Sequence, residues 1–128
     1  MTSHNAALMM AGLIGSFGAV IHGMLTQSHL VAPVRELTAA RISVPVQKLV
    51  TILLQFSTFN WFIGGLLLIA AACLSGQEAR QAAGLLVGSS YLFAALGNLW
   101  ATRGRHPGWI VYGVALGLIL YGLTEPGA

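Results

Sequence analysis

From Val46 to Leu74 the chain runs for 29 residues with no proline and a single charge, Lys48 near its start. At ~1.5 Å rise per residue this stretch reaches about 43 Å as one helix, more than the ~30 Å hydrocarbon thickness of a bilayer. Its polar residues are ordered as well. Lys48, Thr51, Gln55 and Thr58 recur at steps of three, four and three, which places them on one helical stripe. Such a stripe would be costly against lipid, so it is expected to face other helices. The expected fold is therefore all-α, a four-helix transmembrane bundle.

Composition supports that class. Of the 128 residues 56% are hydrophobic and only 7% charged, with a mean hydropathy of +0.79; an ordinary soluble domain carries about a quarter charged residues. Too few charges remain to cover a soluble surface, so the apolar stretches must meet lipid or one another. The net charge of +3 comes from residues in short connections, with no basic patch interleaved with aromatics, so nucleic acid is not an expected partner. Cys73 is the single cysteine and reads as a small packing residue near a helix end.

A single transmembrane domain, 1–128, is expected, with spans at about 5–25, 47–74, 79–102 and 107–124. A signal peptide would want Lys or Arg ahead of its apolar core and a small-residue cleavage site after it. The leader MTSHN has neither Lys nor Arg and the first apolar run is long enough to span, so it is read as a retained helix. Its Gly12, Gly15, Ala19, His22 and Thr26 share a face, a small-residue surface on which membrane helices approach closely. Pro33 and Pro45 bracket a segment that reads either as a surface helix at headgroup level or as a solvated loop. The third span carries a stripe of Gln81, Gly84, Gly88, Tyr91, Ala95 and Asn98. In the fourth, opened by Pro107, Gly113 and Gly117 form a packing face.

Orientation follows from charge. Arg35, Arg41, Lys48, Arg103 and Arg105 lie on the side of the first and third connections, and Arg80 alone on the other. Positive charge marks the cytoplasmic side, so both termini are expected outside the cytoplasm, in a bacterial inner (plasma) membrane crossed several times.

Counted from that basic end, His22, Thr51, Asn98 and Tyr112 lie about one turn inside their spans. Gln55 lies a turn deeper and Tyr91 nearer the midplane. These six are the candidate ligand-binding residues. They either hold the helices in register by hydrogen bonds or line a small polar pocket for a headgroup, a quinone-like ring or another amphipathic ligand. His22 is the ionisable residue set well inside a span, where such a group is a functional candidate.

Other chemistry is missing. The chain has no Asp, and Glu36, Glu78 and Glu125 fall in connections or the tail, so carboxylate-driven ion exchange is not expected. His29 and His106 are assigned to connections and His4 to the opposite end. No second histidine is then expected to face His22, and neither a metal site nor a cofactor is expected. Catalytic residues are expected to be none, since Ser16 and Ser57 have no acidic orienting partner for a histidine.

FSTFN at 56–60 is similar to a polar run of the small four-span fluoride channels, but that family's other glycine, arginine and asparagine motifs are not recognisable in order. A histidine late in the first span, FNWFIGG at 59–65 and RHPGW at 105–109 give a different likeness. In these the chain resembles the uncharacterised small four-span bacterial integral membrane proteins. That resemblance implies the four-span layout and brings no activity with it.

The expectation is thus a small non-catalytic membrane component, structural or accessory, either homo-oligomeric or part of a larger complex. The alternative is binding or transport of a small amphipathic or lipid-like molecule in an intramembrane polar pocket.

Overall fold

The computed structural model describes residues 2–74 and 76–124. Helix α1 spans Ser3–Thr26 and is capped by Thr2, whose hydroxyl accepts from the Asn5 amide at 3.2 Å. A π-helical turn at Gln27–Val31 joins it directly to α2, Ala32–Thr38. After a short turn come α3, Val44–Leu74, and α4, Gln77–Thr102. The last helix, α5, is Gly108–Leu123. Three segments, Ser3–Thr38, Val44–Leu74 and Gln77–Thr102, are long and apolar enough to cross a membrane, and α5 is a shorter apolar helix. The fold is all-α, a bundle of four apolar rods.

The first rod departs from the sequence expectation. Pro33 neither ends a helix nor opens a separate one, because the turn before it is wound wider. The Ala32 amide bonds the Gln27 carbonyl, five residues back, and that register shift accommodates a residue that lacks an amide proton and crowds the preceding turn. Segment 32–38 therefore continues the first span instead of lying apart from it. The other boundaries move less. Pro45 falls inside the first turn of α3, and α4 begins at Gln77, so Glu78 sits in its first turn and Glu36 in α2. Glu125 lies outside the described residues.

Successive rods run antiparallel in a ring, α1 against α3 and α5, and α4 against the same two. The α1–α3 contact is close enough to require glycine. A Cβ on Gly12 would stand 2.5 Å from the Gly65 carbonyl oxygen, and one on Gly65 the same distance from that of Gly12. Near the α1 N-terminus the His4 ring stacks on Tyr121 with centroids 4.7 Å apart, while Leu8 fills the space over Gly122. Arg80 donates to the Asn5 side chain and ties α4 to α1. Leu8, Leu68, Tyr91, Ala115 and Ile119 are fully buried between the rods. Outside, Phe17, Phe56, Phe93 and Leu120 stand exposed, an apolar surface suited to lipid.

At the other end α4 stops in a left-handed turn, Arg103 at φ 51° and Gly104 at φ 77°. The Gly104 amide returns to the Leu99 carbonyl at 3.1 Å. Trp109 Nε1 donates to the Gly104 carbonyl at 3.1 Å, which folds the tight turn back onto the start of α5.

Candidate functional site

The stripe on α3 faces the first rod along its whole length. Gln55 donates to the Gly23 carbonyl at 3.2 Å and to Gln27 at 3.3 Å, and Thr58 donates to Gln55 at 3.0 Å. A turn further along, Thr51 donates to the Gln47 carbonyl and, with Lys48, lines a cleft against Arg35 of α2. Thr51 is thus not part of a common pocket with His22 and Asn98.

A chain of rings crosses the centre of the bundle. The His22 centroid is 4.6 Å from Trp61, Trp61 is 4.6 Å from Tyr112, and Tyr112 is 5.2 Å from Tyr91, all tilted. The outer members are anchored. His22 Nε2 hydrogen-bonds the Ser57 hydroxyl at 3.2 Å and that of Thr26 at 3.3 Å. Tyr91 donates to the Trp61 carbonyl at 3.3 Å, and its hydroxyl occupies the space a Cβ on Gly15 would need. Tyr112 is different. It is only 3% exposed, yet its hydroxyl has no hydrogen-bond partner among the described residues. Buried polar groups in folded proteins are nearly always paired, and an unpaired one costs about 1–3 kcal/mol.

Tyr112 lines a groove of about 740 Å³ between α1 and the α4–α5 end of the bundle. Ile14, Phe17, Gly18, Ile21 and Val111 form its inner, apolar part. Leu25 and Leu30 continue that wall outward, interrupted by His22, Thr26 and His29. Asn98, Thr102, His106, Pro107 and Gly108 close the opposite side. Phe17, Ile21, Leu25 and Leu30 are all exposed, so the groove opens sideways onto the surface that would meet lipid. Among the described residues no Asp, Glu, Lys or Arg lines it.

Hydrogen bonds fix what one of the histidines presents. His106 Nδ1 accepts from the Gly108 amide at 3.0 Å, so in the neutral ring Nε2 carries the proton and is a donor. His29 Nδ1 lies 2.8 Å from the Ser28 hydroxyl, which can donate or accept, and 3.2 Å from the Leu25 carbonyl, so its Nε2 can serve as acceptor or donor according to the tautomer. Neither Nε2 has a partner among the described residues. With the Tyr112 hydroxyl, the groove offers three polar groups without a partner among the described residues on an otherwise apolar wall.

Of the six residues singled out from the sequence, the structure brings His22, Asn98 and Tyr112 to this groove. Tyr91 stands behind Tyr112, Gln55 serves the neighbouring α1–α3 contact, and Thr51 lies elsewhere. Of the partners of His22, Ser57 was weighed in the sequence only as a nucleophile and Trp61 was not singled out, nor were His29 and His106 as groove residues. His29 is seven residues after His22, and that spacing carries the signal once the first helix is extended past Leu25. A second and a third histidine therefore share the cavity with His22, contrary to the expectation. Among the described residues, though, no group of three or more His, Cys, Asp or Glu could hold a metal ion. Comparisons with known protein families, with curated proteins and with solved structures give no match for this chain.

Proposed function

We propose that this protein is a multi-pass membrane protein that binds a small, neutral, amphipathic molecule in the groove between α1 and α5. The observation that carries the reading is the buried, unpartnered Tyr112 hydroxyl beside an apolar channel open to the lipid side. A ligand with an apolar tail and a hydroxyl- or carbonyl-bearing head satisfies all of it. The tail lies along Phe17, Ile21 and Leu25, while the head takes donors from Tyr112 and His106 and pairs with His29 Nε2. A groove without charged side chains disfavours an ionic head, which would be left desolvated and unpaired. Binding or carriage fits these groups better than catalysis, for no carboxylate stands in the groove to orient a histidine.

The charge asymmetry supports a bacterial inner-membrane location with the turn at 103–107 and the segment around 35–48 in the cytoplasm and both termini outside. On that orientation the head of the ligand sits at the cytoplasmic end. A second reading, an oligomeric or accessory component, is favoured by one observation. Gly113 and Gly117 of α5 face open space, with nothing within 4 Å of where a Cβ would stand, whereas Gly12, Gly15, Gly84 and Gly88 are used inside the bundle.

The test is extraction of protein purified in mild detergent without added lipid, followed by mass spectrometry of what comes with it. The wild type should carry a stoichiometric amphipathic molecule. Gly18→Leu should lose it, since Gly18 lines the groove with Val111 3.4 Å from its Cβ position. A wild-type protein that carries nothing and takes up no added lipid analogue would sink the proposal.

A further inference from the structure

Arg35 of α2 and Lys48 of α3 face a second cavity, about 380 Å³, whose remaining lining is Val44, Gln47, Thr51 and Ile52. Neither cation makes a hydrogen bond or ion pair among the described residues, although two helices converge to bring them together. The polar neighbours are occupied: Gln47 donates to the Ile42 carbonyl at 3.0 Å and Thr51 to the Gln47 carbonyl at 3.0 Å. The cleft therefore holds two uncompensated positive charges at the N-terminal end of a 31-residue helix, where backbone amides add partial positive charge. Below it the surface of α3 is apolar. Ile52, Phe56, Phe59 and Ile63 follow at steps of four, three and four, and all are exposed.

We infer that this cleft is a binding site for the phosphate headgroup of an anionic phospholipid, whose acyl chains run down the Ile52–Ile63 stripe. The occupant is set by two features in register. An anion is required by Arg35 and Lys48, and a long apolar chain by the lipid-facing stripe directly beneath them. A soluble phosphate compound would satisfy the first and leave the second unused. The site is separate from the α1–α5 groove, so either can fail without the other. Arg35 is displayed here because the first rod continues through Pro33 into α2. The π turn therefore builds one wall of this cleft as well.

The test uses nanodiscs of phosphatidylglycerol and phosphatidylcholine with matched chains, read by native mass spectrometry of retained lipid. Gly18→Leu protein serves as background so that occupancy of the groove does not contribute. Each cation near a membrane surface is worth about five-fold in preference for an anionic lipid, hence about 25-fold for the pair. Arg35→Gln with Lys48→Gln should bring the preference to within about two-fold of unity, with both side chains exposed and the fold undisturbed. Arg103→Gln with Arg105→Gln removes the same charge from the same end and should leave the preference in place. Equal losses in the two double variants, or no preference in the parent, would overturn the site. Displacement of the lipid by millimolar inorganic phosphate would overturn the lipid as its occupant.

Discussion

Replacing Tyr112 with phenylalanine changes one atom that the structure leaves without a partner, and it should move two measured quantities in opposite directions. In protein stripped of ligand, the hydroxyl is a desolvated polar group with no hydrogen bond, at a cost of about 1–3 kcal/mol. Removing it leaves a void of roughly 10 Å³, which at about 24 cal/mol per Å³ costs about 0.2 kcal/mol. The ring keeps its contacts with Trp61 and Tyr91. Tyr112→Phe should therefore stabilise the empty protein by about 1–3 kcal/mol. The ligand-bound form behaves otherwise, because there the hydroxyl has a partner. The variant loses a hydrogen bond worth about 0.5–1.5 kcal/mol, so affinity for the copurifying molecule should fall about 2- to 13-fold. Stability is read from reversible unfolding in mixed micelles, followed by tryptophan fluorescence; binding is read from the shift of that transition with ligand. If the empty variant is less stable than the wild type, the hydroxyl is already satisfied and the groove loses its main claim to a ligand. An unchanged ligand shift refutes the placement of the head against Tyr112.

The double variant His29→Ala and His106→Ala should lower stability by about 0.5–2 kcal/mol, because His106 caps the Gly108 amide at the start of α5, while ligand retention in native mass spectrometry falls several-fold. Gly65→Ala should destabilise by about 1–3 kcal/mol, since its Cβ meets the backbone of α1; Gly117→Ala, with open space around it, should be neutral or stabilising by up to about 1 kcal/mol from helix propensity. Should α5 form an oligomer face, Gly113→Leu with Gly117→Leu would shift the mass seen in light scattering from oligomer to monomer. In intact spheroplasts the native Cys73, which is exposed, should react with a membrane-impermeant thiol reagent. A cysteine replacing Arg105 in a Cys73→Ala background should react only after permeabilisation; the reverse pattern would invert the orientation.

The bundle was legible because its signals are collective. Twenty-nine residues of one character between Val46 and Leu74 fix a rod whatever any single side chain does, and Gly12, Gly15 and Ala19 recur at helical spacing on the face of α1 that is buried. The site was only partly legible. His22, Asn98 and Tyr112 fall at matched depths in their spans, and depth can be counted along a sequence. What could not be counted is rotation about each axis, which turns Thr51 toward Arg35 and leaves it outside the groove. His29 was placed in a connection because the first span was ended at Leu25, where the polar run Thr26–His29 begins. The helix runs on through that polar run and past Pro33, and the remedy for the proline, one carbonyl bonded five residues on instead of four, has no residue pattern of its own.

The groove itself follows from a mismatch of lengths. With 16 residues α5 is about 24 Å long, whereas the first rod, 36 residues from Ser3 to Thr38, is about 54 Å. The two are pinned at one end, where Tyr121 stacks on His4 and Leu8 covers Gly122. α5 therefore runs out opposite Gly18 and His22, and beyond that point only the turn 103–107 stands across from Leu25, His29 and Leu30. A longer α5 would have buried those side chains against a fourth full wall. Instead the end of α5 delivers His106 and Gly108 to the rim and leaves Tyr112, one turn inside, as the last ring before the opening. The apolar depth and the polar rim thus have one origin: the shortest of the four rods, α5, stops inside the bundle, and the longest, Ser3–Thr38, continues past it.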